Sequence, residues 1–369
     1  MKKSHSHIIL IATVIIVSLT ISVSWFRDIE SRRVEGERFL FPELGISTDE
    51  TALKMLNDIV EVKIEGPNGI FSIISNDKKW ILPNLANFPV SVDKIKRVIV
   101  GLAQLETIEA KTKNPELHGE LGLNSPSSKT SPSTSVSLIG NKNHILASLL
   151  VGKDSKTGKD TRYVRRPGDN QTWLAWRNFE LPNSPIGWLE DNLFSVKRWR
   201  VADIKILHAN DSEVFIARSD YSEQYFKVQN LKEDELPLNP YVGNQIGSAI
   251  EKLPVKNIML KQKANKKNFI KTEFTTFDGL KITIENFTIN NERWVELVAQ
   301  YDETLRRELP KDGPNIIGLP EMPSIEEVNQ EVNLLNQKFS NWIFQFNKSK
   351  HQQFTTKFLD ITRKKDIEE

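Results

Sequence analysis

Cysteine is absent from this chain of 369 residues. Disulfide bonds, thiolate nucleophiles, iron–sulfur clusters and cysteine-ligated zinc sites are therefore excluded. The lipid-attachment cysteine of bacterial lipoproteins is missing for the same reason. A stable fold must instead come from the burial of apolar side chains, and the 38% hydrophobic content is ordinary for folded domains in water.

The sequence also lacks an excess of charge of either sign. Lysine and arginine number 50, and aspartate and glutamate number 48, so the formal net charge is +2. Proteins that bind nucleic acid neutralise its phosphates with a surplus of basic side chains. Nucleic acid is therefore not an expected partner.

Histidines are few and scattered. The six of them form no HxxxH or HExxH spacing, which would place two metal ligands on one helix face. Together with the missing cysteines, this pattern gives no candidate metal ligand, no cofactor-binding motif and no catalytic residue. The sequence alone therefore predicts no enzymatic activity.

A long apolar run occurs at Ile8–Val23, IILIATVIIVSLTISV. A helix of this length spans roughly 25 Å, so flanking residues up to Trp25 must help it cross a hydrocarbon core of ~30 Å. The β-branched run and the interfacial Trp25 favour an uncleaved anchor over residues 8–25. A cleaved signal peptide is the alternative, with the small residues Ser22–Ser24 at its cleavage site. Membrane lipid is thus the first expected partner.

The orientation of this anchor follows from what surrounds it. Lys2 and Lys3 precede the anchor, but four arginines follow it within residues 26–38, so the count of basic residues is ambiguous. Large domains translocate largely regardless of charge, and so short a basic tail usually stays in the cytoplasm. We therefore expect a single-pass protein of the bacterial inner membrane with its body in the periplasm.

Beyond the anchor, one pattern of elements occurs twice. The first block opens with an alternating strand at Ile59–Glu65, and Trp188–Ile206 leads into a second block that opens in the same way. Each block continues with a strand meander, an amphipathic helix and hairpins. The helices are predicted after Ser91, at Tyr241–Leu253 and after Ser324, where Glu327 would complete a capping box.

The predicted fold is therefore α+β: a transmembrane helix followed by two related, mostly antiparallel sheet-plus-helix units produced by internal duplication. The predicted boundaries are 1–7 for a cytoplasmic tail, 8–25 for the anchor, 26–58 for a juxtamembrane segment, 59–198 for the first repeat, 199–350 for the second repeat, and 351–369 for a charged C-terminal tail.

Two segments are predicted to lack regular structure. Ser125–Ser135, SPSSKTSPSTS, is of low complexity and should form a mobile surface loop. Arg363–Glu369 is charged and should fray at the end of the chain.

Several short motifs, in one order along the chain, resemble a bacterial family known as a domain of unknown function, family 4340. They are Phe39–Leu44, Val60–Ile64, Trp80, Phe88-Pro89, Leu105–Leu123, Gly152, Tyr163-Val164 and Trp188–Ile206. The resemblance implies a single-pass inner-membrane protein with a periplasmic body, often beside ABC-2-type exporters of the gliding-motility-associated kind. An ABC transporter permease or auxiliary subunit is therefore an expected partner. The family has no catalytic motif to transfer.

Three motifs could suggest chemistry, and each has a simpler explanation. Gly152–Asp160 is similar to a phosphate loop, but its spacing is wrong by one residue and an aspartate replaces the magnesium-binding hydroxyl, so a turn is predicted. His118 beside Glu120 is predicted to be a solvated surface pair. Glu190 and Asp191 are predicted to be helix neighbours, which diverge by about 100° and cannot flank one bond.

Aromatic and basic side chains leave binding open. Tryptophan at matching places in both blocks predicts core packing, with a sugar-stacking platform as the alternative. A basic run in the second block is predicted to be a solvated loop, or a surface for anionic headgroups or glycans. The tryptophans concerned are Trp80, Trp173, Trp176, Trp188, Trp199, Trp294 and Trp342, and the candidate partner or ligand surface is Lys261, Lys263, Lys266 and Lys267.

Three functional hypotheses follow. The first is a non-catalytic accessory or scaffolding protein, an auxiliary component of an ABC-type export system. The second is a periplasmic glycan- or lipid-binding module, and the third is a hydrolase whose residues converge only in three dimensions. The oligomeric state is left open.

Overall fold

The computed structural model describes residues 39–44, 50, 54, 57–76, 79–128, 131–156, 160–191, 193–210, 212–261, 269–307 and 321–365. The chain divides into two compact units, Met1–Trp188 and Leu189–Glu369. The expected anchor at 8–25 lies outside the described residues. Within the residues that are described, no helix combines the length and the apolar composition needed to cross a bilayer.

Within its described residues, the first unit is a nine-stranded antiparallel sheet with one long helix. Its elements are β1 (Ile59–Gly66), β2 (Gly69–Asn76), β3 (Lys79–Leu82), β4 (Phe88–Pro89), α1 (Val92–Ala103), β5 (Thr107–Ala110), β6 (Thr134–Gly140), β7 (Ile145–Asp154), β8 (Thr161–Arg165) and β9 (Thr172–Trp176). The strands lie in the order β4-β3-β2-β1-β6-β7-β8-β9-β5.

The second unit contains an eight-stranded antiparallel sheet, a two-stranded ribbon and four helices within its described residues. Its elements are β10 (Val201–Leu207), β11 (Glu213–Ala217), β12 (Lys227–Val228), β13 (Glu235–Pro237), α2 (Val242–Gly247), β14 (Val255–Leu260), β15 (Ile270–Thr276), β16 (Leu280–Ile289), β17 (Glu292–Tyr301), α3 (Ile325–Phe339), β18 (Trp342–Phe346), α4 (Lys348–Phe354), α5 (Phe358–Ile361) and β19 (Thr362–Lys364).

The two sheets use one strand order. In the second unit the order is β12-β11-β10-β15-β16-β17-β18-β14, which matches β3-β2-β1-β6-β7-β8-β9-β5 of the first unit strand for strand. Register irregularities also recur at matching places, between Ile59 and Glu61 in β1 and between Val201 and Asp203 in β10. The prediction of a mixed α+β fold with mostly antiparallel sheets is confirmed.

Each sheet buries one face. In β1, Val62 and Ile64 are fully buried, whereas Glu61 and Lys63 on the other face are half-buried. Because successive side chains of a strand point to opposite faces, this alternation gives β1 a buried apolar face and a half-buried polar face. The sequence predicts one apolar stripe along α1, spaced three or four residues apart. It is confirmed, because its members are all buried: Ile95, Val98, Ile99, Leu102 and the following Leu105.

The second predicted helix is shorter than expected. The sequence predicts Tyr241–Leu253, whereas α2 ends at Gly247. A Cβ on Gly247 would lie 2.5 Å from the Phe226 ring, and one on Gly243 would lie 2.6 Å from the Phe226 carbonyl oxygen. This close approach requires glycine, and glycine also weakens the helix.

The capping box of α3 is confirmed. The Ser324 hydroxyl accepts a hydrogen bond from the Glu327 N–H, and the Glu327 carboxylate accepts one from the Ser324 N–H. The sequence places Ile325, Val328, Val332 and Leu335 on the inner face of this helix, and this is wrong at Ile325, which is exposed. The side chain of Asn336 bonds to both backbone groups of Ala299 in β17, at 2.8 and 3.0 Å. β18 pairs with β17 at Val295, and Ala299 lies beyond that pairing.

Two segments expected to lack structure are ordered in part. Ser131 and Ser133 are buried, and both hydroxyls donate to the Asn124 carbonyl oxygen, so the prediction of a mobile loop is wrong for residues 131–135. Residues 351–365, assigned by sequence to a charged tail, form most of α4, all of α5 and β19, and β19 pairs with β13. The many charges of this segment suggest an exposed tail, but its Phe354 and Ile361 are buried and keep it packed.

Candidate functional site

A dense group of buried charges in the second unit surrounds Asp278. Arg200, only 8% exposed, donates from Nε to Asp278 Oδ2 at 2.7 Å and from Nη2 to Glu331 Oε2 at 2.7 Å. Burial disfavours the charged guanidinium, but the hydrogen bonds to Glu331 and Asp278 outweigh it and raise the pKa of Arg200. Arg200 thus joins the start of β10 to the β15–β16 hairpin and to α3.

Asp278 is presented by the turn between β15 and β16. The Leu280 N–H donates to Thr276 Oγ1 at 2.9 Å, and the Thr276 hydroxyl donates to the Asp278 carboxylate. The sequence predicts a hairpin with a type I′ turn at Asp278-Gly279. The hairpin is confirmed, but the type I′ turn is wrong, because Gly279 has a positive φ of +89° and Asp278 does not. An aspartate before glycine normally marks an exposed turn, so local sequence gives no signal of this burial.

Arg218 is 4% exposed and, among the residues that the structure describes, pairs with no carboxylate. It donates from Nε to the Val201 carbonyl oxygen at 3.1 Å and from Nη2 to that of Trp199 at 2.7 Å. Its guanidinium lies 4.7 Å from the Phe226 ring centre and 5.2 Å from that of Phe277. Burial, followed by the nearby charge of Arg198, lowers the pKa of Arg218 to about 10.

Two further arginines complete this group. Arg306 donates from Nη1 to the Asp278 carbonyl oxygen at 3.0 Å, and Arg307 donates from Nη1 to the Arg218 carbonyl oxygen at 3.0 Å. Arg307 also pairs with Asp203 in β10. We call Arg200, Arg218, Arg306 and Arg307 the arginine cluster. These arginines bond to backbone carbonyl oxygens and carboxylates of the chain itself, so they cross-link parts of the second unit.

The predicted lysine surface is described at one of its four positions. Lys261 forms an ion pair with Glu296, whose side chain is 6% exposed. Lys263, Lys266 and Lys267 lie outside the described residues. The surface therefore stays a prediction, and at Lys261 the positive charge is already paired.

The remaining residues that the sequence offered as candidates, His118 and Glu190, differ in their exposure. His118 is 4% exposed with Nε2 3.0 Å from the Asn170 carbonyl oxygen, so the prediction of a solvated histidine is wrong. Its partner lies far along the chain, beyond local sequence patterns. Glu190 is exposed and pairs with Lys338, but it lies outside any regular helix. Within the described residues no cluster of His, Asp and Glu could hold a metal ion.

Three of the seven tryptophans named above lie in the core. Trp80, Trp188 and Trp294 are buried, as core packing predicts. Trp176 is 48% exposed, and Trp173, Trp199 and Trp342 are half-buried. This distribution gives little support to a tryptophan platform for sugars.

Sequence reasoning missed His351, which it placed in the charged tail. His351 is buried, and its Nε2 accepts a hydrogen bond from the Phe346 N–H at 3.4 Å, so the proton of the neutral ring is on Nδ1. Burial, together with the charges of Arg293 and Lys256, lowers the pKa of His351 to about 4. The fold therefore holds this ring neutral.

Acid should weaken the second unit through His351. The folded pKa lies below the ordinary value of 6.5, so the unfolded chain binds more protons between these values. The stability that comes from a neutral His351 is fully present above pH 6.5. The free energy of unfolding should fall by about 1–3 kcal/mol as the pH falls from 6.5 to about 4. The free energy of unfolding, measured against pH across this range, should change less steeply in His351→Gln than in the unchanged protein, because glutamine does not titrate. Equal slopes in the two proteins would contradict the prediction.

Comparison with known families places the chain. The family model described as Domain of unknown function (DUF4340) matches residues 80–272, from Trp80 in β3 to Thr272 in β15. No curated protein and no solved structure matches. The matched region covers more than half of the sequence, and it includes Arg200 and Arg218 but ends before Asp278. The chain therefore belongs to the DUF4340 family of domains of unknown function.

Proposed function

We propose that this chain is a membrane-anchored accessory or scaffolding protein on the periplasmic side of the bacterial inner membrane. In this role it is an auxiliary component of an ABC-type export system and catalyses no reaction of its own. The observation that carries the proposal is the strand order found twice, which we attribute to internal duplication. A repeated fold supplies two sheets of the same architecture, and the surface of each can carry a different partner site.

The buried polar groups support a structural role. The arginine cluster bonds to its own backbone and carboxylates, and His118 bonds to a carbonyl oxygen. Groups engaged in this way position the chain and hold no substrate. The apolar run at Ile8–Val23 supplies the attachment to the membrane.

Affinity purification of the full chain from mild-detergent extracts of its native membranes tests the proposal. We expect an ATPase and a permease of an ABC-type system to co-purify after mild crosslinking. A variant starting at residue 39 is the matched control, because it lacks the proposed anchor and should leave the membrane fraction. Recovery of the full chain as a monomer without transporter subunits would contradict the proposal.

A glycan- or lipid-binding module is the second candidate, favoured by one observation. Tyr225 and Tyr241 are exposed, and their rings meet edge-to-face with centres 5.6 Å apart. Exposed aromatic rings of this kind stack on sugars or lie at a lipid interface. Titration with cell-wall fragments or lipid vesicles should change the intrinsic fluorescence of the full chain, and Tyr225→Ala with Tyr241→Ala should abolish that change.

A further inference from the structure

A row of isoleucines crosses the outer face of the first sheet. Glu61 in β1 is paired with Ile74 in β2 and Ile139 in β6, which in turn face Ile81 in β3 and Ile145 in β7. Cross-strand partners project from the same face of a sheet. We call Ile74, Ile81, Ile139 and Ile145 the isoleucine row; Glu61 lies at its centre.

This row lies on the solvent side of the sheet. Ile74 is 37% exposed and Ile145 is 58% exposed, while Ile81 and Ile139 are half-buried. Scattered exposed apolar residues are ordinary, but apolar residues gathered in one row, here in two pairs on either side of a carboxylate, are typical of an interaction surface. The neighbouring outer row is polar, with Ser72 and Lys63 in register.

The second unit has polar or small side chains at the same places. Asp203 in β10 corresponds to Glu61, because both follow the matching register irregularity. Its row continues through Ala217 and Lys227 on one side and through Thr275 and Lys281 on the other. Each isoleucine of the first unit thus has a non-apolar or smaller counterpart, so the shared fold does not require isoleucine there.

The two central acids also differ in their partners. Asp203 accepts a hydrogen bond from Thr275 Oγ1 at 3.2 Å and pairs with Arg307. Glu61 accepts a hydroxyl bond from the opposite neighbouring strand, from Ser72 in β2, but within the described part of the chain no lysine or arginine pairs with it. Lys63, two residues further along β1 and on the same face, is itself paired with Glu65 at 2.6 Å. The first unit therefore repeats the acid without its cation.

We propose that the isoleucine row and Glu61 form a docking surface for a protein segment that presents an arginine between apolar side chains. That arginine takes the place at Glu61 that Arg307 takes at Asp203, and the apolar side chains cover the row. Removal of half-exposed apolar area from water drives the contact, and the charge pair selects the partner. This inference specifies the partner chemistry of the proposed scaffolding function.

Site-specific photocrosslinking in cells tests the surface. The probe is benzoylphenylalanine at Ile74 or Ile145 of the full chain, with Ala217 and Lys281 as matched controls in the second unit. We expect one polypeptide adduct from both isoleucine positions and none of that mass from the controls. The crosslinked peptide should contain arginine. Glu61→Lys should lower the adduct yield at least fivefold.

Glu61→Gln keeps the size of the side chain and its acceptor for Ser72, so it should lower the yield without disturbing the fold. Thermal unfolding of both variants checks this. Adducts insensitive to both substitutions, adducts from the control positions, adducts with lipid, or no polypeptide adduct at all would overturn the inference.

The two proposals fail in different ways. Transporter subunits that co-purify equally with Glu61→Lys would leave the scaffolding function standing and remove this surface. A Glu61-dependent adduct with a protein outside any export system would support the surface and contradict the export role.

Discussion

Asp278→Ala is expected to destabilise the second unit by about 3–5 kcal/mol, the usual cost of removing one partner of a buried ion pair. Arg200 would keep its charge while only 8% exposed, and its Nε would lose the 2.7 Å bond to the carboxylate. Thr276 and Leu280 would lose the group that organises the β15–β16 turn. The loss should appear as earlier unfolding of the second unit in urea.

Two comparisons make this prediction specific. Glu331→Ala removes the other carboxylate, but that side chain is 27% exposed, so water can replace it and a loss of about 1–2 kcal/mol is expected.

The double change Arg200→Met with Asp278→Leu should recover much of the stability, because apolar residues of similar size often replace a buried pair without cost. Hydrogen exchange of β10 and β16 amides localises the effect. A loss below about 1 kcal/mol for Asp278→Ala would mean that Arg200 finds another ligand.

Trp188→Ala is expected to cost the first unit about 3–5 kcal/mol, as for other large aromatic side chains removed from a core. Trp188 is fully buried, and its Nε1 donates to the Pro182 carbonyl oxygen at 3.0 Å. Its own carbonyl oxygen accepts the Ser91 N–H at 3.2 Å, at the start of α1. The substitution would therefore leave a cavity beside the helix that covers the sheet.

Trp176→Ala is the matched control for this prediction, since the same side chain there is 48% exposed. It should cost well under the core value, about 1 kcal/mol or less. Hydrogen exchange of α1 amides should accelerate in Trp188→Ala and change little in Trp176→Ala. Equal losses in the two variants would contradict the assignment of Trp188 to the core.

Local periodicity explains what could be predicted. The stripe of α1 and the capping box of α3 depend on residues three or four positions apart, so the sequence displays them directly. The β15–β16 hairpin follows for the same reason, from two alternating runs around Asp278-Gly279. Such elements are encoded by residues that lie close together in the chain.

What could not be predicted depends on partners distant in the chain. Asp278 is buried because Arg200 reaches it, and His118 is buried against Asn170. Lys261 is neutralised by Glu296. No local pattern announces these pairs, because each member has the sequence surroundings of an ordinary surface residue. The contrast between Glu61 and Asp203 likewise needs the register of both sheets.

Asn336 has a consequence for the solution behaviour of the protein. A bare strand flank offers free amide and carbonyl groups to any other extended chain, and this is a route to aggregation. Beside Ala299 one carboxamide occupies both groups, and the rest of α3 packs along β17. The helix thereby blocks edge-to-edge growth at this flank without adding a further strand to the sheet.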